Sequence, residues 1–263
     1  MVAGPVERNR GEGVLRMKTV HEVRQPGRRR RSPLPRALPW GELRRALWVP
    51  AYMACFAMME FLPPRTYWAT QLPIDGWIPF CSWFLIPYAS WYFLLLGTGL
   101  YLLARNVPAY RRYMLFLSTT FFTAVLLWTF FPNGQDLRPA SPEGFLGPAM
   151  AFIYRIDTNT NVFPSIHVVG AVGAALAVRD GVRNRAAKWG VYVLAALICL
   201  STVFVKQHSV LDVAGGLAFS AAAWVLVYAR PAWLRRLWRR SSCDHPRREK
   251  RRKDGQSPLQ GDL

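Results

Sequence analysis

The sequence predicts an all-α, polytopic membrane protein with six transmembrane helices. Hydrophobic residues make up 52% of the chain, yet its formal net charge is +19. These two properties are segregated along the chain: residues 1–45 carry 12 Lys and Arg, residues 230–263 carry 11, and the whole of residues 46–229 carries 11. An apolar centre between two basic ends is typical of a multi-pass membrane protein.

The predicted transmembrane domain, residues 46–229, is built from apolar runs. About 20 apolar residues cross a bilayer core, and four of the six runs reach or approach that length, whereas the first and fourth are shorter. A soluble all-α core is the alternative, but so many apolar runs with aromatic ends are hard to bury in one small domain. The runs are roughly 46–62, 79–103, 113–131, 166–178, 189–205 and 210–229.

The distribution of basic residues predicts the orientation. If the runs are six spans, the side that holds the termini carries 30 Lys and Arg, and the opposite side carries only Arg65, Arg138, Arg155 and Lys206. Because cytoplasmic segments are enriched in Lys and Arg, both termini are predicted to be cytoplasmic. The opposite loops, which include the ends of the later helices, are predicted to be extracytoplasmic.

The two tails, residues 1–45 and 230–263, are predicted to be basic cytoplasmic segments, and we expect the first to be disordered. Basic residues beside a membrane are attracted to anionic lipids by about 1 kcal/mol each. The runs at 28–31 and 247–253 could also bind nucleic acid, but they flank predicted spans and lack interleaved aromatic residues, so no nucleic acid is expected. The oligomeric state is left open.

Two histidines at the ends of apolar runs are the candidate catalytic residues. His167 begins the fourth run, and His208 precedes the sixth, with Asp212 four residues further on. On a helix this spacing places a carboxylate on the same face as the imidazole. Two imidazoles across a gap suit phosphoryl transfer, because one can attack phosphorus while the other protonates the leaving oxygen. As alternatives, each histidine is simply solvated, and Asp212 caps the last helix or pairs with Lys206.

The same predicted membrane side offers groups that can hold a phosphate. Ser165 is a candidate N-cap of the fourth helix, whose first amides would form an anion site. Arg138 can offer a planar fork of donors, and Lys206 an ammonium group. Three further polar residues in the long loop are interpreted as turn formers: Asp157, Asn159 and Asn161.

These residues resemble the type 2 phosphatidic acid phosphatase superfamily of membrane lipid phosphatases, head-group transferases and vanadium haloperoxidases. Its pattern is K-x6-RP, PSGH and SR-x5-H-x3-D; here the corresponding segments are RP at 138–139, PSIH at 164–167 and ST-x5-H-x3-D at 201–212. The resemblance covers about residues 110–229. Phe131, Ile166 and Thr202 stand where the family has Lys, Gly and Arg. This looser pattern is more similar to the inositol-phosphotransferase branch.

The resemblance implies a metal-independent lipid phosphatase that needs no cofactor and hydrolyses a phosphomonoester or diphosphate lipid through a phosphohistidine. His208 would be the nucleophile, Asp212 would orient it, and His167 would be the general acid. One alternative is a phosphotransferase that moves an inositol-phosphate type head group between lipids. Another is a lipid-binding membrane protein with weakened catalysis, since two cationic ligands are replaced. The phosphate ligands implied are Arg138, Ser165 and Lys206.

Overall fold

The computed structural model describes residues 39–61 and 66–229, which are mostly helical. A single pair of two-residue parallel strands, β1 (Trp68–Ala69) and β2 (Asn133–Gly134), joins two loops within these residues. The α-helices in chain order are α1 (Trp40–Leu43), α2 (Trp48–Phe61), α3 (Leu85–Arg105), α4 (Val107–Phe130), α5 (Gly147–Ile156), α6 (Ile166–Gly181), α7 (Arg185–Phe204) and α8 (Val210–Trp224). Short 3₁₀ segments cover Arg44–Ala46, Pro73–Trp77 and Ser82–Phe84, and a π-helical segment, Val225–Ala229, continues α8.

Each predicted apolar run contains a helix, and four described helical segments are long and apolar enough to cross a membrane. These segments indicate an integral membrane protein. α2 has 14 residues and α6 has 16, so both are shorter than an ordinary span. Of the six predicted spans, four therefore coincide with helical segments whose length and composition suit a membrane: Ser82–Arg105, Val107–Phe130, Arg185–Phe204 and Val210–Ala229.

Polar caps, rather than hydrophobicity, determine where α4 and α7 begin. The Asn106 side chain accepts a hydrogen bond from the Ala109 amide, so α4 starts at Val107, before the apolar run predicted from residue 113. The Asn184 side chain accepts from two amides at the start of α7. Such side chains satisfy amides that the first helical turn leaves unpaired.

The short helix α6 packs against α3, α4, α7 and α8, and most of its side chains are buried. Its glycines permit this close packing. A Cβ at Gly170 would lie 2.6 Å from Trp91 Nε1, and one at Gly173 would lie 2.8 Å from Phe116 Cε1. The neighbouring helices shield α6 from the surroundings. α6 therefore does not need a long apolar surface of its own.

The start of the described chain corrects one boundary. Disorder was expected throughout residues 1–45, but residues 40–45 are helical. Glu42 forms ion pairs with Arg45 and with Arg111 of α4, and these arginines lower the pKa of Glu42 to about 2. The predictions for residues 1–38 and 230–263 fall outside the described residues.

The 132–165 segment is more structured than the loop that was predicted. It contains β2 and α5, and its end is tied to two helices. Trp128 Nε1 of α4 donates to the Phe163 carbonyl at 2.9 Å, and the Ser165 amide donates to the Asp212 carbonyl of α8 at 3.2 Å. These bonds bring the end of α4 and the beginnings of α6 and α8 to one end of the helix bundle.

Candidate active site

The two predicted catalytic histidines lie in direct contact. His167 is the second residue of α6, and His208 lies in the turn that precedes α8. His208 Nε2 is 3.4 Å from His167 Nδ1, and both side chains are buried. One neutral imidazole can donate to the other at this distance, with the direction set by their tautomers. Residues that are 41 positions apart in sequence therefore form one imidazole pair.

Asp212 lies beside His208 and also caps α8. Its Oδ2 is 3.8 Å from His208 Nδ1, a distance too long for a hydrogen bond. The same oxygen accepts from the Ser209 amide at 2.7 Å, while the Ser209 hydroxyl accepts from the Asp212 amide at 3.1 Å. This capping box begins α8 after His208, so the two residues do not share a helix face as the i+4 spacing predicted. The capping role and the contact with His208 coexist.

Ser165 is the N-cap of α6, as the sequence predicts. Its hydroxyl accepts from the Val168 amide at 3.4 Å, and the side chain is completely buried. The capping bond directs this hydroxyl to the helix itself. The N-terminus of α6, with His167 in its first turn, lies at the imidazole pair.

Two aromatic residues that the sequence reasoning missed hold His167. The Tyr88 ring stacks on the imidazole with centroids 4.4 Å apart, and the Trp91 ring lies 4.7 Å away at a steeper angle. Both belong to α3 and are separated by three positions, the spacing that places side chains on one helix face. Nothing in their local sequence distinguishes them from other aromatic residues in the apolar runs.

Arg138 binds the loop that leads to the site. Its guanidinium donates to the carbonyls of Tyr154 (3.3 Å) and Thr158 (2.6 Å), and to Gln207 Oε1. Its Nε is buried without a hydrogen-bond partner in the described part of the chain. Burial lowers the pKa of Arg138, but a guanidinium remains charged at neutral pH.

Asp157 was interpreted as a turn former, whereas the structure makes it part of a buried network. Gln207 Nε2 and the Tyr88 hydroxyl both donate to its Oδ2 at 3.1 Å. Burial raises the pKa of Asp157, and the attraction of Arg138 opposes that change. Gln207 therefore connects Arg138 and Asp157 immediately before His208.

Lys206 is directed toward a different segment. It has a positive φ of 54°, and its Nζ donates to the Asp75 carbonyl at 2.7 Å. The Asp75 side chain in turn accepts from the Val210 amide at 2.8 Å. Burial lowers the pKa of Lys206. The lysine thus anchors the 206–209 turn to the 3₁₀ segment at 73–77, and its proposed contact with phosphate stays a prediction.

The two positions at which the family pattern has a cationic residue, 131 and 202, have different surroundings. Phe131, at the end of α4, is 68% exposed. Thr202 is completely buried; its hydroxyl donates to the Cys199 carbonyl, and its own carbonyl accepts from the amides of Gln207 and His208. Position 202 therefore fixes the backbone of the histidine turn without adding a positive charge.

The imidazole pair opens into a cavity of about 240 Å³. Polar groups of Asp157, Thr158, Thr160 and Asn161 form one part of its wall, and aromatic residues of α2 and α3 form another. Asn161 adopts a positive φ of 58°, and its Oδ1 is buried without a partner in the described residues. A ligand in this cavity would contact imidazoles, amide and hydroxyl groups, and an apolar surface.

Residues 143–226 match the family model of the PAP2 superfamily. The match confirms the predicted resemblance and includes both histidines and Asp212, while Arg138 lies just before it. The PAP2 superfamily consists generally of phosphatases, so the match supports an enzyme of phosphatase type. Searches of curated proteins and of solved structures found no match.

Proposed function

We propose that this protein is a lipid phosphatase that hydrolyses a phosphomonoester or diphosphate lipid through a phosphohistidine. The observation that carries the proposal is the contact of His208 with His167, with Asp212 on the other side of the His208 ring. The PAP2 match supports phosphatase-type chemistry. The apolar helices around the site support a substrate that reaches it from a membrane.

In the first step, neutral His208 attacks phosphorus through Nε2. The N–P bond forms as the P–O bond to the lipid breaks, and His167 gives a proton to the departing oxygen. The Asp212 carboxylate faces Nδ1, so it favours the tautomer with hydrogen on that atom and stabilises the resulting positive charge. In the second step, His167 takes a proton from water, which attacks phosphorus and releases phosphate and His208.

A bound substrate must separate the two rings. The 3.4 Å between His208 Nε2 and His167 Nδ1 leaves no room for a phosphoryl group between them, because reacting atoms approach to about 3–3.5 Å on each side. Tyr88 and Trp91 hold His167 against α3, whereas His208 lies in a turn. We therefore expect the His208 turn to make the larger adjustment.

Arg138 and the N-terminus of α6 are proposed to stabilise the charge on phosphate. The Arg138 Nε is buried and has no hydrogen-bond partner among the described residues, so it can add a bond without breaking one. The first backbone amides of α6 supply the second group with positive charge, at the positive end of the helix dipole. Ser165 and Lys206 remain candidate ligands, although each is now bound to another group.

We also propose six transmembrane helices, with both tails cytoplasmic and the histidines extracytoplasmic. The charge distribution supports this orientation, and the burial of α6 among its neighbours explains how a short helix can belong to the membrane domain. The tails are proposed to bind anionic lipids.

The test is a phosphate-release screen of the purified protein against phosphatidic acid, isoprenoid diphosphates and sphingoid phosphates. Turnover should disappear in His208→Ala, because the nucleophile is lost. Radiolabelled substrate should leave acid-labile, alkali-stable phosphate on the wild-type protein and none on the variant. Release that persists in His208→Ala would exclude the phosphohistidine route.

A head-group transferase is the second candidate, favoured by the polar wall of the cavity. Asn161 Oδ1 and the hydroxyl groups of Thr158 and Thr160 lie where an acceptor alcohol could bind beside the imidazoles. In this reaction the acceptor hydroxyl replaces water in the second step. Product analysis separates the two: a phosphatase releases free phosphate, and a transferase forms a new phosphorylated lipid or sugar.

A further inference from the structure

A groove lined by apolar and aromatic side chains adjoins the imidazole cavity. Its volume is about 320 Å³, and it lies between α2, α3 and α4. The cavity and the groove share four lining residues: Tyr52, Met53, Trp91 and Tyr92. A molecule whose polar end lies at the histidines can therefore extend into the groove.

The packing of α2 creates this groove. Tyr52 of α2 packs against Phe121 of α4 with ring centroids 4.9 Å apart, and Trp48 adds an edge contact to the same ring. This cluster joins α2 to α4, while the α3 side of the space is lined by residues at helical spacing. They are Tyr92, Leu96, Gly99 and Leu103.

The length of the groove fits one hydrocarbon chain. Tyr92 and Leu103 are eleven positions apart, which is about 16 Å along a helix. That distance is about half of the ~30 Å apolar core of a bilayer, the depth of one leaflet. The far end is formed by Leu43, Leu103 and Tyr110.

We propose that this groove holds the hydrocarbon tail of the phosphorylated substrate and that Gly99 sets the chain length that it accepts. This inference rests on the proposed phosphatase function. It adds that the substrate has a long hydrocarbon chain, which lies between α2 and α3. Gly99 faces the groove in its middle. A Cβ there would meet Met114 Cε and Tyr113 Cε1 only at 3.9 Å, an ordinary contact. A larger side chain can thus occupy the groove while the backbone stays in place.

The chain offers a matched control on the same helix. Gly97 has no atom within 4 Å of its Cβ position, and it is exposed outside the groove. Gly97→Leu and Gly99→Leu add the same side chain to α3 two positions apart. Only the second should obstruct the tail.

The experiment compares kcat/KM for butyl phosphate and tetradecyl phosphate in detergent micelles. Gly99→Leu should lower the value for tetradecyl phosphate about tenfold or more, because the tail and the new side chain compete for space, and lower the value for butyl phosphate much less. Gly99→Ala should have a smaller effect in the same direction, and Gly97→Leu none. Equal losses with both substrates, or no loss with either, would overturn the groove assignment.

A tetradecyl phosphate with a terminal diazirine gives a readout that does not need turnover. Photolabelling should modify the far end of the groove, at Leu103 or Tyr110, and Gly99→Leu should move the label away. If labelling occurs there but no phosphate is released, the phosphatase proposal fails and the groove assignment remains. Label confined to the outer surface of α3, at Phe93 or Gly97, would contradict the assignment, as would a groove occupied by a bound structural lipid or another segment of the chain.

Discussion

Gly216 of α8 lies against the carbonyl oxygen of Ser165, the N-cap of α6. A Cβ at Gly216 would be 2.9 Å from that oxygen and 2.9 Å from Val168 Cβ. The backbone at Ser165 cannot move aside as the end of a flexible side chain can. The absence of a side chain at Gly216 therefore lets α8 approach the beginning of α6, and this approach brings the 206–209 turn to His167.

The first prediction concerns this approach. Gly216→Ala should push α8 from α6, destabilise the protein by about 1–3 kcal/mol and reduce turnover, because His208 moves relative to His167. Gly190→Ala is the control: no atom lies within 4 Å of its Cβ position on α7, and alanine favours a helix by up to about 1 kcal/mol. Thermal unfolding and phosphate release measure both. Unchanged activity in Gly216→Ala would mean that the close approach is not needed.

Asp212→Asn should keep α8 capped and lose most of the activity. The amide oxygen can still accept from the Ser209 amide, so the unfolding midpoint should change little. The negative charge beside His208 Nδ1 is lost, and turnover should fall on the order of 10²–10⁴-fold by analogy with other carboxylate–histidine pairs. Steady-state kinetics with a thermal unfolding control measure this. A large drop in stability would assign Asp212 mainly to the helix cap.

His167→Ala should discriminate between leaving groups. A lipid alkoxide needs a proton when it departs, whereas an activated aryl phosphate has a stable leaving group. The loss of kcat should therefore be much larger for the lipid phosphate than for the aryl phosphate. Equal losses would falsify the general-acid role and leave His167 as a phosphate ligand.

Burial of Asp157 should make stability depend on pH. Because its pKa is raised in the folded protein, protonation favours folding, and the wild type should lose stability as pH rises from about 3.8 through the folded pKa. Asp157→Asn has no such titration, so its unfolding midpoint relative to wild type should increase over that range. A constant difference for Asp157→Asn would contradict the prediction.

The orientation can be tested with single cysteines at two exposed loop positions. An impermeant maleimide added to intact cells should label Glu143→Cys, in the loop that precedes α5, and leave Arg183→Cys unlabelled until the cells are permeabilised. Each cysteine should be introduced into a chain whose natural cysteines are replaced by serine. The reverse pattern would place the histidines on the cytoplasmic side and remove the extracytoplasmic site.

Individual residues show how much of the structure can be predicted from the sequence. The apolar runs gave the positions of the long helices, because burial from water requires continuous apolar stretches that are visible in one dimension. Ser165 was recognisable as an N-cap from its local sequence. In contrast, the start of α4 at Val107 depended on Asn106, and α5 was missed because ten residues between two loops form too short a periodic pattern to identify.

The sequence by itself determined the helical membrane class and the identity of the candidate catalytic residues, since both reside in composition and in short spacings. Only the tertiary structure decided that His208 contacts His167, that Asp157 joins Gln207 in the buried network, and that Lys206 turns to Asp75. Such contacts join residues up to 131 positions apart. These contacts depend on how closely the helices pack. Glycines such as Gly216 control that distance, and no local sequence pattern encodes it.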